Sequence, residues 1–234
     1  MAKQIVGLSR NIKLRWLNKT VDFLEEQQDY EAVKETLNTY LSFEIKSPDN
    51  LRKTRDLLLK IWRKEDENTD LKQDALALYR KHPDDALVYH WALMLNAFPV
   101  FFDVCSVMGG LFEFQDTLSV EQLTKQLYSV WGERVTLYHA IPKILQTMRD
   151  LGVVISDRKG IYQLQEQTIN NIDTINFLLY AAMRADGKAY YTVDDLQNMR
   201  ILFPFRFTVS NEQLYQYEKF SVHHTGGALA VSVK

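Results

Sequence analysis

The sequence predicts a mainly α fold: an N-terminal helical bundle packed on a winged-helix domain, with a small α+β C-terminal tail ending in a β-hairpin. Apolar residues recur at helical spacing through residues 1–112. Residues 113–166 contain a capping box, two helical segments and a short basic hairpin, which is the element order of a winged helix. Residues 167–234 contain one helical segment, then short strands. We therefore expect three structural units with these boundaries.

The bundle is expected to begin with three amphipathic helices. Apolar side chains recur at helical spacing over 14–24 and again over 30–41. The third helix has a distinct start, because Ser47 can cap it and Pro48 fits its first position. A fourth helix is expected over about 70–81.

The next segment, 86–102, is strongly apolar, but polar residues and a proline interrupt it. His90, Asn96 and Pro99 make a kinked core helix a better interpretation than a membrane span, which needs about 20 apolar residues. We expect Gly109-Gly110 to end this helix. Trp91 and Phe101 are expected core residues, and His90 is expected to be a hydrogen-bonded core histidine.

The winged-helix segment is defined by its helix ends. Ser119 and Gln122 form a capping-box pattern that opens the first helix. Thr136 is expected to cap the second helix, and Gly152 stands where a glycine commonly ends one. The residues 153–164 then predict a two-stranded hairpin, the wing.

The C-terminal unit is expected to mix helix and strand. A helix over about 168–185 stops at Gly187, and a shorter one covers 192–199. The alternation over 205–209 indicates a strand. Two further strands, 220–224 and 228–233, are joined across Thr225, Gly226 and Gly227 and predict the final hairpin.

The composition is that of a soluble globular chain, with 46% hydrophobic and 25% charged residues in 234. The single cysteine, Cys105, lies in an apolar run and is expected to be buried in a protein of a reducing compartment. The first residues lack the apolar core of a signal peptide. We therefore expect a cytoplasmic protein without membrane contact.

Residue patterns that carry catalysis are missing from the sequence. Neither of the phosphate-binding glycine motifs, G-x-x-x-x-G-K and G-x-G-x-x-G, occurs in the sequence. The five histidines and one cysteine do not have the spacing of metal ligands. His223-His224 are adjacent on a predicted strand and point to opposite faces. Asp84-Asp85 and Asp194-Asp195 stand at helix starts, where the helix dipole explains them. We expect no enzyme activity, no catalytic or metal-binding residues and no cofactor.

The net charge of −2 conceals a polarised distribution. Residues 1–64 carry 13 Lys+Arg against 9 Asp+Glu, 65–131 carry 4 against 11, and 132–164 carry 5 against 3. The first helix shows no acidic residue before Asp22, so its basic cluster is expected to be unopposed. Local basic excess is common in nucleic-acid-binding domains, although a pI near 6.2 is modest for one.

In a winged helix the second helix enters the major groove and the wing meets the DNA backbone. Pro142 falls within that second helix, which must either kink or begin near it. The alternative functions are a protein-interaction adaptor using the winged helix and C-terminal hairpin, and a dimeric transcriptional regulator. The candidate DNA-binding residues are Arg10, Lys13, Arg15 and Lys19 near the first helix, Thr136, Tyr138, His139 and Lys143 on the second winged-helix helix, and Arg158 and Lys159 on the wing.

Four segments also carry a family resemblance over roughly residues 5–165. They are Gly7-Leu8 with Asp29-Tyr30-Glu31, Ser47 with Lys53-Thr54-Arg55-Asp56, Trp91-Ala92-Leu93 with Phe98, Phe101 and Phe102-Asp103, and Ser119-Val120-Glu121 with 148–156. In this layout the chain resembles the BrxA family, the small winged-helix proteins of BREX phage-exclusion systems. The resemblance implies a non-enzymatic component of a multi-protein phage-defence system that binds double-stranded DNA and other proteins of that system.

The chain departs from the family pattern in three places. The serine-rich, double-glycine start is reduced to Gly7-Leu8-Ser9, and Pro142 interrupts the helix that should contact DNA. The part after residue 190 has no counterpart in the resemblance.

Overall fold

The computed structural model describes residues 6–27, 29–225 and 228–234. In these residues the chain is mainly helical, as predicted, with eleven α-helices and three small sheets. The first six helices are α1 (Leu14–Glu26), α2 (Tyr30–Ser42), α3 (Pro48–Trp62), α4 (Thr69–Lys81), α5 (Ala86–Ala97) and α6 (Pro99–Phe112).

The predicted start of α3 is confirmed. The Ser47 hydroxyl accepts a hydrogen bond from the Asn50 amide at 3.4 Å, and Pro48 occupies the first turn, where its missing N–H has no partner to lose. Asp29 caps α2 in the same way, accepting from the Ala32 amide at 2.8 Å. These local signals fix the helix starts without tertiary contacts.

The apolar segment forms two helices, and α6 turns away from α5 by 115° at the break before Pro99. No single helix among the described residues has the length and apolar character to span a membrane, and only this bent pair passes such a test jointly. Trp91 and Phe101 are fully buried, with ring centroids 4.9 Å apart. Their predicted place in the core is confirmed.

The expectation that Gly109-Gly110 ends the helix is wrong, because α6 continues to Phe112. The backbone of Arg200, in a short 3-10 turn, lies directly against Gly109. A Cβ at this position would stand 2.0 Å from the Arg200 carbonyl oxygen. The glycine therefore permits close helix packing and does not terminate the helix.

Residues 117–164 form a strand, two helices and a hairpin. They are β1 (Thr117–Ser119), α7 (Val120–Trp131), α8 (Val135–Asp150), β2 (Val154–Arg158) and β3 (Ile161–Leu164). The three strands make an antiparallel sheet in the order β1-β3-β2. The capping box is confirmed: the Gln122 amide donates to the Ser119 hydroxyl at 3.1 Å and the Ser119 amide donates to Gln122 Oε1 at 2.8 Å. Gly152, with φ +74°, follows the end of α8 as predicted.

Two expectations for α8 need correction. Thr136 does not cap it, because Arg134 has extended backbone angles and α8 begins at Val135. The helix also does not begin near Pro142, which lies inside its continuous span. Pro142 faces solvent, so the backbone carbonyl that loses its partner lies on the exposed side of the helix.

The remaining elements are β4 (Gln167–Thr168), α9 (Ile172–Asp186), α10 (Val193–Gln197), β5 (Phe205–Arg206), α11 (Asn211–Gln216), β6 (Phe220–Thr225) and β7 (Ala228–Val233). The final hairpin of β6 and β7 is confirmed, while its turn at Gly226 and Gly227 lies outside the described residues. The helix predicted from 168 begins later, capped by Asn171, because Gln167 and Thr168 pair in parallel with β5.

The helix α9 lies in the centre of the fold and not at its edge. It packs against α5 and α4, and its residues 174–183 are all buried. Asn96 of α5 donates a hydrogen bond to the Ala181 carbonyl at 2.9 Å. One connected cluster of buried apolar side chains therefore runs from Val6 to Val231.

Candidate nucleic-acid interface

The predicted residues of α8 lie together on its solvent-facing side. Thr136, His139 and Lys143 are exposed and stand at helical spacing i, i+3 and i+7, which places them on one face. Tyr138 is 61% exposed, and its ring centroid lies 5.3 Å from that of His139. The opposite face anchors the helix through the buried side chains of Leu137, Ala140, Ile141, Ile144, Leu145 and Met148.

The two predicted wing cations stand at the tip of the hairpin. Arg158 pairs with Ile161 at the end of the sheet, and Lys159 and Gly160 form the turn. The φ of +76° at Gly160 is a backbone conformation that favours glycine. Arg158 and Lys159 are exposed, and neither forms an ion pair within the described residues. Both charges are therefore open to an external anion.

The basic cluster of α1 is opposed, contrary to the expectation from sequence. Glu44, just after α2, accepts from Lys13 Nζ at 2.7 Å, from Arg15 Nε at 3.0 Å and from Trp16 Nε1 at 3.0 Å. The hydrogen bond from Arg15, together with those from Lys13 and Trp16, lowers the pKa of Glu44 to about 2. Because this acid follows Arg15 by 29 positions, inspection of the first helix alone could not find it.

The other two predicted cations near α1 differ in their surroundings. Lys19 forms an ion pair with Asp22 at 3.2 Å and lies 5.1 Å from the Phe23 ring centroid. Arg10 donates to the Ser9 carbonyl at 2.7 Å, while its Nε is buried and has no hydrogen-bond partner in the described part of the chain. Of the four predicted residues here, Arg10 alone has no carboxylate partner within the described residues.

The start of α1 abuts the C-terminal end of α8. The Ile12 amide donates to the buried Thr147 hydroxyl at 2.8 Å, and the Asn11 side chain donates to Asp150 at 3.4 Å. Thr136 lies near the other end of this 16-residue helix, 14 positions before Asp150 and about 21 Å from it at 1.5 Å per residue. The segment that leads into α1 and the first turns of α8 therefore lie at opposite ends of α8.

Sequence reasoning missed one exposed cation of α8. Arg149 follows Pro142 by seven positions and is exposed. It lies beside Tyr162 of β3. Burial raises the pKa of Tyr162, and the positive charge of Arg149 partly opposes this shift. The i, i+7 spacing places Arg149 on the same face of α8 as Pro142, and this spacing can be read from the sequence.

His90 and Cys105 are buried in the core. His90 is buried; its Nδ1 accepts from Trp62 Nε1 at 3.0 Å and its Nε2 donates to Asn18 Oδ1 at 2.7 Å, which confirms the predicted core histidine. Burial lowers its pKa to about 3. Cys105 is also buried, and burial raises the pKa of its thiol well above the ordinary value. His223 contacts Ser221, and His224 contacts Tyr215.

No cluster of three or more His, Cys, Asp or Glu side chains that could hold a metal ion occurs in the described part of the chain. Comparisons with protein-family models, with curated proteins and with solved structures found no match for this chain. The geometry of α8 and the β2–β3 hairpin is therefore the basis for a functional assignment.

Proposed function

We propose that this chain is a non-enzymatic double-stranded-DNA-binding protein in which residues 117–164 act as a winged helix. The observation that carries the proposal is the order β1-α7-α8-β2-β3, in which α8 has an exposed face and packs against β2 of a hairpin whose tip holds two open cations. In this arrangement α8 enters the major groove and the hairpin tip contacts the backbone.

The available side chains favour phosphate contacts over base recognition. Lys143, Arg149, Arg158 and Lys159 are exposed cations, and cations on phosphates fix register and orientation without reading sequence. The exposed α8 face offers Thr136 as the neutral hydrogen-bonding group nearest its start. We therefore propose binding with weak sequence specificity and a strong dependence on salt.

The biological setting is a second part of the proposal. The resemblance in layout to the BrxA family supports a role as an accessory component of a bacterial phage-defence system, in the cytoplasm and together with other proteins of that system. In a strain carrying such a system, deletion of this chain should restore plaque formation by an excluded phage, and re-expression should remove it. Unchanged plaque counts after deletion would contradict this role while leaving DNA binding untouched.

The DNA proposal is tested at the wing with Arg158→Glu plus Lys159→Glu. Affinity for a duplex, measured by fluorescence anisotropy, should fall at least about tenfold, because each charge-assisted contact contributes roughly 1.5–3 kcal/mol. The log–log salt slope should become less steep by about 0.9 for each phosphate that the variant no longer neutralises. Stability should change by no more than about 0.5 kcal/mol, since both residues lie at an exposed loop tip.

The matched control is Lys188→Glu plus Lys234→Glu, which makes the same change in net charge at exposed positions outside α8 and the hairpin. This control should retain the affinity of the parent. A wing variant that melts normally and binds duplex DNA like the parent would remove the wing from the DNA-binding surface.

A second candidate function, a protein-interaction adaptor, is favoured by one observation. Val130, Val135 and Tyr138 are 64%, 74% and 61% exposed around the turn between α7 and α8. Apolar side chains this exposed are typical of protein contact surfaces. In the adaptor case, Val135→Ser would abolish co-purification with a defined partner of the same system, and the wing variant would leave a weak DNA affinity unaltered.

A further inference from the structure

A basic groove lies between α2 and α3, outside the α8 surface. Its volume is about 570 Å³. Its lining includes Lys34, Lys53, Arg55, Asp56, Lys60 and Lys64. Five of these side chains are cationic and one is a carboxylate, so the lining carries a net charge of +4.

Three of the five cations have carboxylate partners. Lys34 pairs with Glu31 at 2.9 Å and Lys53 with Asp49 at 2.6 Å. Arg55 is buried and pairs with Asp56 at 2.6 Å, so its guanidinium is held rigidly in the groove wall. Exposed pairs such as the first two contribute little free energy and exchange readily for a ligand.

The remaining two cations, Lys60 and Lys64, form no ion pair within the described residues. Lys60 lies in the last turn of α3 and Lys64 two residues beyond its end, and the Lys60 ammonium lies 4.7 Å from the Phe98 ring centroid. Burial lowers the pKa of Lys60, and the charge of Lys64 lowers it further, while the charge of Asp66 opposes this shift. An anion in the groove would therefore stabilise the charged form of Lys60.

We propose that this groove is a binding site for linked phosphate groups, with Lys60 and Lys64 as the principal contacts. Lysine binds phosphate as a point charge, and two lysines in the lining of one groove suit a ligand with at least two linked phosphates. Tyr30 also lines the groove and is 41% exposed, with the Lys34 ammonium 5.9 Å from its ring centroid, and its ring adds an aromatic surface for a base attached to the phosphates.

Linked phosphates have two sources, a free phosphorylated ligand or the backbone of a nucleic acid. Ser9 lines the groove, while Asn11 and Ile12, two and three positions on, contact Asp150 and Thr147 of α8. Three residues of extended chain span about 10 Å, so the groove lies near the end of α8. A duplex on α8 could therefore extend its backbone to the groove, but the site itself does not depend on the winged-helix proposal.

The test uses Lys60→Met plus Lys64→Met, which removes both charges and keeps the apolar stems. Lys188→Met plus Lys234→Met is the control of equal charge. Inorganic triphosphate should bind the parent and the control in calorimetry, and the groove variant should bind it about tenfold or more weakly. The full chain is used throughout, and matching urea midpoints of parent and variant establish that each variant folds.

The second arm measures duplex affinity as a function of salt for the same proteins. In one outcome, the plot of log affinity against log salt is less steep for the groove variant than for the parent, by about 0.9 for each phosphate that has lost its lysine. That result assigns the bound phosphates to the DNA backbone. Weaker triphosphate binding with an unchanged slope assigns them to a free phosphorylated ligand. No triphosphate binding by the parent together with an unchanged slope overturns the proposal. The wing variant separates the two proposals, because it should weaken duplex binding and leave triphosphate binding intact.

Discussion

His90 makes the stability of this protein depend on pH in a range that can be calculated. Its Nδ1 accepts the indole N–H of Trp62, so the ring is neutral with the proton on Nε2, which donates to Asn18. Protonation of the folded protein would force the Trp62 N–H against a second donor in a fully buried site. The pKa of His90 is accordingly lowered from 6.5 to about 3.

The unfolded chain binds this proton below pH 6.5, whereas the folded protein resists it down to about pH 3. The contribution of neutral His90 to stability is therefore complete above pH 6.5 and is lost progressively as the pH falls towards 3. Between pH 7 and pH 5 the loss amounts to about 2 kcal/mol, at about 1.36 kcal/mol for each pH unit below 6.5.

The assay is urea unfolding of the parent and of His90→Gln at pH 7 and pH 5. Glutamine can accept from Trp62 and donate to Asn18 but does not titrate, so the variant should lose about 2 kcal/mol less than the parent over this interval. Carboxylates that titrate near pH 5 affect both proteins alike and cancel in the difference. Equal losses of stability in the two proteins would refute the assignment of a neutral, doubly hydrogen-bonded His90.

Three further predictions follow from contacts described above. Phe101→Ala should lower the free energy of unfolding by about 3–5 kcal/mol in urea titrations, because it empties a fully buried site against Trp91; an unchanged midpoint and slope would contradict its core position. Gly109→Ala should lower the free energy of unfolding by about 1–3 kcal/mol, because its Cβ would stand 2.0 Å from the Arg200 carbonyl oxygen. The control, Gly110→Ala, meets only the Arg200 side chain at 3.4 Å and should be neutral or stabilising. Equal urea midpoints for the two variants would refute the close approach at Gly109. Glu44→Gln should free Lys13 and Arg15 from their shared carboxylate. In anisotropy titrations the variant should then bind duplex DNA about two- to fivefold more tightly. An unaltered affinity would place α1 outside the DNA-binding surface.

Local signals in the sequence predicted the helix starts and ends well. Ser47 with Pro48, the Ser119–Gln122 capping box and Gly152 all act through residues within a few positions of themselves. The structure accordingly places these features where the sequence predicts them. The exceptions are Thr136, because α8 begins before it, Gly109-Gly110, through which α6 continues, and Thr168, because α9 begins only at Ile172.

Long-range pairing was not predictable in the same way. Nothing near Arg15 in the sequence indicates that Glu44 will neutralise the α1 cluster. Gly109 resembled a helix end because its partner, the backbone at Arg200, lies about ninety residues further along. The central place of α9 had a sequence signal, since a helix that is apolar around its whole circumference belongs inside a core.

For the candidate site, the sequence predicted which α8 and wing residues are exposed but not which cations are free. Exposure follows from helical spacing and from the hairpin turn, both of which are local. The charge available to a ligand depends on partners from other elements, as Glu44 shows for α1 and as Asp49 and Glu31 show for the α2–α3 groove. The groove itself joins residues of two helices and a loop, which no single periodic pattern marks.

The burial of α5 by α9 and by the Arg200 turn has a consequence during synthesis on the ribosome. The Trp91 indole donates to the Ile201 carbonyl, 110 residues later, at 3.2 Å, and Asn96 donates to Ala181, 85 residues later. Translation at about 5–20 residues per second leaves the α5–α6 apolar surface uncovered for roughly 5–20 s before these partners emerge. A nascent chain of this length exposes a surface that binds chaperones or aggregates, so the yield of folded protein should depend on translation speed and chaperone supply.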